Sequence, residues 1–312
     1  CATIGKMTLP ELGKRGYPED ITIGSLAGAG TLGLLIPPSI IMIVYGVAAD
    51  VSIAKLFIAG VLPGILLAAL FSGYLMAWAL MNPGKVPRPD RVMSLGERLH
   101  ESRHLIPVVI LIAAVLGSIY TGVATATEAA AVGVVGSLLL SLVQGSLNWQ
   151  TFRDSLMGAT RLYCMIALIL AGAAFLTLSM GYIGLPRHLA EYISGLGLSP
   201  FVLVVALALF FIVLGCFMDG ISIVVLTMGV LLPTVQAAGI DLIWFRIFVV
   251  VVVAMAQITP PVGFNLFVLQ GMTGKDIAYI ARVTMPFFFL MCAMVLLLWF
   301  FPQIATWMPG HM

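Results

Sequence analysis

Long uncharged apolar runs dominate this sequence, and they limit the folds open to it more than any other feature. Examples are Ile21–Ala49, Leu56–Gly84 and Val283–Gly310, and further runs of this kind follow one another along the chain. A helix needs about 20 predominantly apolar residues to cross the hydrocarbon core of a bilayer. Only 9% of the residues are charged, whereas soluble domains carry about 25%. The sequence therefore predicts an all-α integral membrane protein surrounded by the lipid bilayer, and its net charge of +2 indicates no nucleic-acid partner.

Two of the apolar runs are interrupted by a pair of prolines. Pro37 and Pro38 lie in one run, and Pro260 and Pro261 lie in the run 247–274. Proline has no backbone N–H and its ring clashes with the preceding helical turn. Each pair is therefore predicted to break its helix in the middle of the membrane.

A third apolar stretch is predicted to enter the membrane without crossing it. Residues 199–236 consist of two apolar arms joined by the short turn sequence GCFMDG at 215–220. We interpret this stretch as a re-entrant helical hairpin whose tip lies inside the protein.

The chain contains an internal repeat with an offset of 223 positions. Residues 224–287 contain four prolines, and each of them falls on a proline of the first segment. Internal repeats of this kind are typical of secondary transporters. The matched pairs are Pro10 with Pro233, Pro37 with Pro260, Pro38 with Pro261, Pro63 with Pro286, and also Gly16 with Gly239.

The distribution of Lys and Arg predicts that the two copies have opposite orientations in the membrane. The loop Glu11–Asp20 contains Lys14 and Arg15, whereas its counterpart Thr234–Ile243 contains neither residue type. The positive-inside rule therefore places the first loop in the cytoplasm and the second loop outside. An inverted repeat favours alternating access over an ion channel, which would place a polar pore-lining stripe in a symmetric oligomer.

The repeat divides the chain into three segments. Residues 1–81 form the C-terminal part of the first copy, residues 82–104 form a cytoplasmic loop with an amphipathic segment, and residues 105–312 form the second copy. The first copy lacks counterparts of the early elements of the second, so we expect the sequence to be truncated at its N-terminus. The second copy is predicted to contain three scaffold helices, an amphipathic segment, the hairpin 199–236, a broken helix over 242–270 and a last helix over 276–302.

The two proline-containing segments resemble the large membrane subunit of TRAP (tripartite ATP-independent periplasmic) transporters. Residues 25–39 read SLAGAGTLGLLIPPS and residues 256–267 read AQITPPVGFNLF, with weaker similarity in TATEAAA at 125–131 and in GCFMDG. The resemblance implies a non-enzymatic importer of the elevator type in the bacterial inner membrane. In such a transporter, a mobile domain of two hairpins and two broken helices slides against a scaffold. The resemblance also implies two protein partners, a small membrane subunit and a periplasmic substrate-binding protein, and small organic anions as substrates, such as dicarboxylates, sialic acids or keto acids.

A helix that breaks in mid-membrane exposes carbonyl oxygens at one end and N–H groups at the other. Carbonyl and side-chain oxygens can replace the water around a sodium ion, and N–H groups can hold a carboxylate. We therefore expect one ion site per copy, with sodium as the coupling ion and with neither a cofactor nor a transition metal. The first site is predicted at Gly30, Thr31, Gly33, Ile36, Pro37, Pro38 and Ser39. The second site is predicted at Gln257, Thr259, Pro260, Pro261 and Asn265, joined by Gly215, Asp219, Gly220 and Ser222 of the hairpin.

Two other interpretations are open from the sequence. Asp219 can instead cap the second arm of the hairpin. His100, Glu101 and His104 fit the HExxH pattern at 100–104, whose imidazoles bind zinc and whose carboxylate acts as general base in metalloproteases. This motif lies in a polar loop and has no evident third ligand, so a membrane zinc metalloprotease is the alternative function.

Overall fold

The computed structural model of the protein describes residues 2–87, 96–97, 102–197, 199–261 and 263–311. Every regular element in these ranges is helical. Five of the described helices are long and apolar enough to cross a membrane, and a sixth span results if the two helices of the first broken run count as one. These features confirm the predicted all-helical, multi-pass membrane fold.

The first copy consists of a helix that the repeat matches to the second hairpin arm, a helix that ends at the proline pair, a short helix after the break and a long final helix. Pro10 lies inside the first of these helices and Pro63 lies inside the long helix. The bounds are α1 (Ala2–Lys14), α2 (Glu19–Leu35), α3 (Ile40–Ala48) and α4 (Ile53–Met81).

The second copy begins with several additional helices and then repeats the order found in the first copy. The additional helices are α5 (Ile106–Tyr120), α6 (Ala126–Val143), α7 (Trp149–Ile183), α8 (Leu185–Gly195) and the first hairpin arm α9 (Pro200–Gly215). The repeated elements are α10 (Gly220–Ala237), α11 (Leu242–Ala256), α12 (Phe264–Thr273) and α13 (Ile277–Phe300), followed by the short α14 (Gln303–Thr306).

The two copies share local geometry as well as element order. Gly16 and Gly239 follow α1 and α10, and their φ angles are 77° and 72°, a conformation that only glycine adopts without steric cost. Both proline pairs, at 37–38 and at 260–261, are joined by a cis peptide bond. The glycine and proline matches in the sequence therefore correspond to matched backbone conformations.

Contacts among the described residues divide the chain into two compact units. The larger unit comprises Cys1–Pro87 and Leu170–Met312, and it contains both broken runs. The smaller unit is Arg88–Ile169, in which α5 packs against α6. Helix α6 begins with a capping box, in which Thr125 Oγ1 accepts a hydrogen bond from the Glu128 N–H, and the Glu128 carboxylate accepts one from the Thr125 N–H. This cap satisfies two of the N–H groups that a helix start leaves without partners.

Helix α11 lies at the centre of the larger unit. Every residue from Trp244 to Ala256 is buried, and the helix contacts α2, α4, α9, α10 and α13. Apart from Arg246 this helix is apolar on every face, and a helix of that kind must be surrounded by other elements. The second proline pair follows four residues after this helix, with Pro260 half-buried and Pro261 exposed, so the break starts where the buried helix ends.

Helices α2 and α13 approach each other closely because α2 presents glycines at the contact. A Cβ atom at Gly28 would lie only 2.5 Å from Phe287 Cδ1. A Cβ atom at Gly24 would overlap the backbone carbonyl oxygen of Val283, which cannot move as a side chain can. Spacing of four residues places both glycines on one face of α2, a pattern that lets membrane helices pack closely.

Charged and polar groups join the start of α2 to the start of α13. Lys275 Nζ lies 2.5 Å from a carboxylate oxygen of Glu19. The hydroxyl of Tyr279 donates a hydrogen bond to the carboxylate of Asp20. Both carboxylates are exposed, so these contacts fix geometry more than they stabilise the fold.

We predict that Gly24→Ala lowers the thermal stability of the purified protein. Overpacking of a close helix contact costs about 1–3 kcal/mol, which corresponds to a fall of several degrees in the melting temperature. Gly73→Ala in α4 is the matched control, because nothing lies within 4 Å of an added Cβ there. Alanine favours a helix over glycine by about 1 kcal/mol, so the control should be unchanged or more stable. Equal melting temperatures for the two variants would contradict the close α2–α13 contact.

Candidate functional site

The turn between α9 and α10 is shaped by Asp219. Its carboxylate accepts hydrogen bonds from the N–H groups of Ile221 and Ser222, at 3.1 Å and 3.2 Å, and a further one from the Ser222 hydroxyl. Asp219 is therefore the N-cap of α10, which is the capping role that the sequence left open. Both carboxylate oxygens accept hydrogen bonds from the first residues of α10, so Asp219 fixes where the turn ends and the helix begins.

The hairpin tip lies against the second helix break. The Cys216 Sγ donates a hydrogen bond to the carbonyl oxygen of Pro260 at 3.2 Å. Gly215 packs so closely on Ala256 that a Cβ at position 215 would overlap the alanine methyl group. The end of the first hairpin arm is therefore held directly on the residues where α11 ends.

Gly220 brings the hairpin close to the breaks of both copies. A Cβ atom at this position would lie 2.8 Å from Val253 Cγ1, 2.9 Å from Gln257 Nε2 and 3.2 Å from Ile41 Cδ1. Gln257 begins the second break, and Ile41 follows the first break by a few residues. One hairpin tip thus meets elements from both halves of the repeat.

The second break re-forms the backbone hydrogen bonds that its prolines remove. Neither Pro260 nor Pro261 has an N–H, so the carbonyls of Ala256 and Gln257 lose their helical donors. The N–H of Thr259 donates to Ala256 at 3.2 Å, and that of Asn265 donates to Gln257 at 3.1 Å. These bonds fold the chain back on itself at the break.

Gly263 is the position around which carbonyl oxygens gather in this break. A Cβ atom there would lie 2.7 Å from the carbonyl oxygens of both Gln257 and Thr259. The Thr259 hydroxyl donates to the carbonyl of Met255 at 2.8 Å, so its oxygen lone pairs remain available to accept. Glycine permits this close approach of backbone to backbone.

Asn265 carries a buried polar group without a partner. Its side chain is 5% exposed, and its Nδ2 has no hydrogen-bond partner among the described residues. Leaving a buried donor unpaired costs about 1–3 kcal/mol. The partners of an asparagine amide decide which way it is turned. In one orientation its Nδ2 can donate to an acceptor, and in the other its Oδ1 can contact a cation.

At the first break, a side-chain hydroxyl replaces one of the backbone donors that the prolines remove. Pro37 and Pro38 remove the helical donors of the Gly33 and Leu34 carbonyls. The Ser39 hydroxyl donates to the Leu34 carbonyl at 2.6 Å. The carbonyl of Gly33 loses its helical donor, and a Cβ at Gly33 would meet no atom within 4 Å, so this side of α2 is open.

Three other residues predicted for the first site differ in how they are placed. Thr31 is fully buried, and its hydroxyl donates to the Gly28 carbonyl at 2.7 Å and faces the Met291 sulfur of α13 at 3.8 Å. Ile36 is exposed and donates its backbone N–H within α2, and Gly30 is half-buried. Thr31 therefore lies on the face of α2 that packs against α13.

Sequence reasoning missed three residues that shape this region: Ile41, Cys216 and Gly263. Cys216 lies within the turn motif but looks like any small apolar residue in a membrane run. Gly263 carries a usable signal, because a glycine two residues after a proline pair suggests close backbone approach. Ile41 gives no signal, since its role depends only on which element packs beside it.

The His and Glu side chains of the zinc-protease motif lie outside the described part of the chain. His100 and Glu101 lie outside the described residues, as does the side chain of His104. Among the described residues, no group of three or more His, Cys, Asp or Glu side chains could hold a metal ion.

A multi-pass helical protein with two internally broken helices and a hairpin tip between them belongs to the class of membrane transport proteins. The family model for the "Tripartite ATP-independent periplasmic transporter, DctM component" matches residues 1–304. This chain belongs to the large permease family of TRAP transporters. It is a transporter and not an enzyme.

Individual relatives agree with this assignment and differ in the compounds they are named for. The chain is 32% identical to the C4-dicarboxylate TRAP transporter large permease protein DctM of Pseudomonas aeruginosa, over 99% of this chain and 72% of the relative. It is 33% identical to the ectoine/5-hydroxyectoine TRAP transporter large permease protein UehC of Ruegeria pomeroyi, over 98% and 71%. It is 31% identical to the isethionate TRAP transporter permease protein DctMQ of Oleidesulfovibrio alaskensis, over 99% of this chain and 48% of the relative.

We predict that Asp219→Ala lowers the free energy of unfolding by about 0.5–2 kcal/mol through loss of the cap of α10. Asp219→Asn should retain most of this stability, because asparagine is an equally good N-cap. Chemical unfolding of the purified variants provides the measurement. An equal loss in both variants would show that the negative charge, rather than the cap geometry, holds the tip.

Proposed function

We propose that this protein is the large permease of a sodium-coupled importer of small organic anions in the bacterial inner membrane. It works with a small membrane subunit and a periplasmic substrate-binding protein. The observation that carries the proposal is the position of Gly220, which lies within contact distance of Gln257 and Ile41 at once. A ligand held at this tip would touch both copies, as alternating access requires.

The oxygen atoms around the second break support sodium as the coupling ion. The carbonyl oxygens of Gln257 and Thr259 both border the space that a Cβ atom at Gly263 would fill. The Thr259 hydroxyl directs its hydrogen away to Met255, which leaves its oxygen to face a cation. Carbonyl and hydroxyl oxygens from an unwound membrane helix are the ligands that coupling ions use in secondary transporters.

The helix starts after the two breaks support a negatively charged substrate. Helix α3 begins after Ser39 and α12 after Gly263, and neither start has a side-chain cap. At α12 the N–H groups of Asn265 and Leu266 already bond to the carbonyls of Gln257 and Gly263. It is therefore the uncapped start of α3, with the positive end of its helix dipole, that favours a carboxylate or sulfonate. The unpaired Nδ2 of Asn265 adds a buried donor at the start of α12.

The names of the relatives also support small organic solutes. They include permeases for C4-dicarboxylate, isethionate and ectoine, and a sialic acid permease of Haemophilus influenzae. Most of these compounds carry a carboxylate or sulfonate, which suits uncapped helix starts. The movement that we infer is of the elevator type, in which the broken helices and hairpins move together against the scaffold helices.

Reconstitution into liposomes tests the proposal as a whole. The full-length permease, its small subunit and its binding protein are combined, and uptake of labelled dicarboxylates, sulfonates, sialic acid and keto acids is followed. We expect uptake only when an inward sodium gradient and the binding protein are both present. Uptake that ignores sodium would overturn the coupling assignment, and uptake without the binding protein would overturn the partner assignment.

Thr259→Ala is predicted to raise the sodium concentration needed for half-maximal uptake about tenfold. A tenfold change corresponds to about 1.4 kcal/mol, which is reasonable for the loss of one oxygen ligand. Thr160→Ala is the matched control, because the Thr160 hydroxyl makes the same bond to the carbonyl four residues earlier. Unchanged sodium dependence in the Thr259 variant would remove this hydroxyl from the site.

A further inference from the structure

A single arginine is buried inside the central helix of the larger unit. Arg246 of α11 is 7% exposed, and its Nε has no hydrogen-bond partner among the described residues. No Asp or Glu in the described part of the chain forms an ion pair with it. Arginine stays protonated in proteins, so this position holds a positive charge within an apolar run.

The group that faces Arg246 is Tyr45 of α3, in the other copy of the repeat. Tyr45 is 1% exposed, and its ring centroid lies 5.8 Å from the guanidinium carbon. The Tyr45 hydroxyl lies close enough to Arg246 to interact with its charge. The pair does not have hydrogen-bond geometry, and the hydroxyl has no other partner among the described residues. A cation–π contact of this kind attracts the arginine but supplies no hydrogen-bond acceptor for its N–H groups.

The two side chains together offer several hydrogen-bond donors and few acceptors. A guanidinium has five N–H donors and no acceptor, and a phenol hydroxyl can donate one more hydrogen bond. A buried charge without a counter-charge is strongly unfavourable, and the interior compensates by pairing or hydrogen bonding it. The complement that satisfies both requirements is a small anion.

This position is separate from the helix breaks. Arg246 precedes Gln257 by 11 residues, which at about 1.5 Å per residue places it about 16 Å away along the helix. Its equivalent in the first copy is Ile23, a buried apolar residue. The fold therefore does not need a charge at this point of the repeat, which suggests that the charge serves a ligand.

We propose that Arg246 and Tyr45 form a buried binding site for one small monovalent anion, either chloride or a carboxylate group. The anion would join α11 of the second copy to α3 of the first copy. Its binding would stabilise the packed unit without occupying the site at the breaks. The proposal does not depend on which substrate is transported.

Thermal unfolding of the purified full-length protein tests the site. The protein is prepared in a buffer whose only anion is gluconate, which is too large to enter a buried site. Chloride and, separately, acetate are then titrated while the melting temperature is recorded. A ligand that binds only the folded state raises the melting temperature progressively with its concentration. A rise with chloride alone assigns the site to the inorganic ion, and a rise with acetate assigns it to carboxylate groups.

Variants at the two positions make the test specific. Arg246→Met should abolish the anion-dependent rise, and Arg246→Lys should weaken it while keeping the charge. Tyr45→Phe keeps the ring and removes the hydroxyl, so the half-saturating anion concentration should increase about tenfold, equivalent to one lost hydrogen bond. Arg282→Met is the control, because Arg282 is an exposed arginine on α13.

Two results would overturn the proposal. An equal anion-dependent rise in wild type and in Arg246→Met would mean that anions act elsewhere on the protein. A wild-type melting temperature that does not change with either anion would mean that Arg246 is accommodated without a bound anion. Neither result bears on sodium-coupled uptake, so this test and the test of the transport function can fail independently.

Discussion

The rest of this structure depends on the hydrogen bonds that proline pairs withdraw from two membrane helices. In water a carbonyl without its helical donor is solvated, whereas in a bilayer it must find a partner inside the protein. At the first break that partner is the Ser39 hydroxyl, and at the second it is the N–H of Asn265. The second break follows a helix, α11, that other helices surround, whereas the first break leaves the Gly33 side of α2 open.

The structure also requires helix backbones to approach one another closely, and glycine makes this possible at the hairpin tip and at the α2–α13 contact. Gly215 and Gly220 let the hairpin tip reach the residues at the end of α11, and Gly24 lets α2 lie against α13. Membrane helices gain little from excluding lipid, so dispersion contacts at short range supply much of their association. The same small residues that let the helices pack closely also bring the hairpin tip next to residues at both breaks.

Much of the fold could be predicted from the sequence, because proline acts locally and the offset of 223 positions repeats it. The hairpin and both broken helices follow from residues whose effect does not depend on tertiary contacts. The packing around the site could not be predicted in the same way. Thr31 and Gly33 are two positions apart, about 200° around a helix, and only the position of α13 decides which of them is buried. The contact of Ile41 with Gly220 joins elements far apart in sequence, and no periodic pattern encodes it.

The contacts of Lys275 with Glu19 and of Tyr279 with Asp20 have no equivalent in the other half of the repeat. The positions that correspond to Glu19 and Asp20 are Leu242 and Ile243, which are apolar. The matched elements of the two copies share their order along the chain, so their contacts would be equivalent if their side chains were equivalent. The charges at Glu19 and Asp20 make the two copies differ. Salt screens an exposed ionic contact, with a Debye length of about 10 Å at 0.1 M salt, but it does not screen an apolar contact. The α2–α13 contact therefore depends on the salt concentration around it, whereas the matching positions of the other copy offer no such ionic contact.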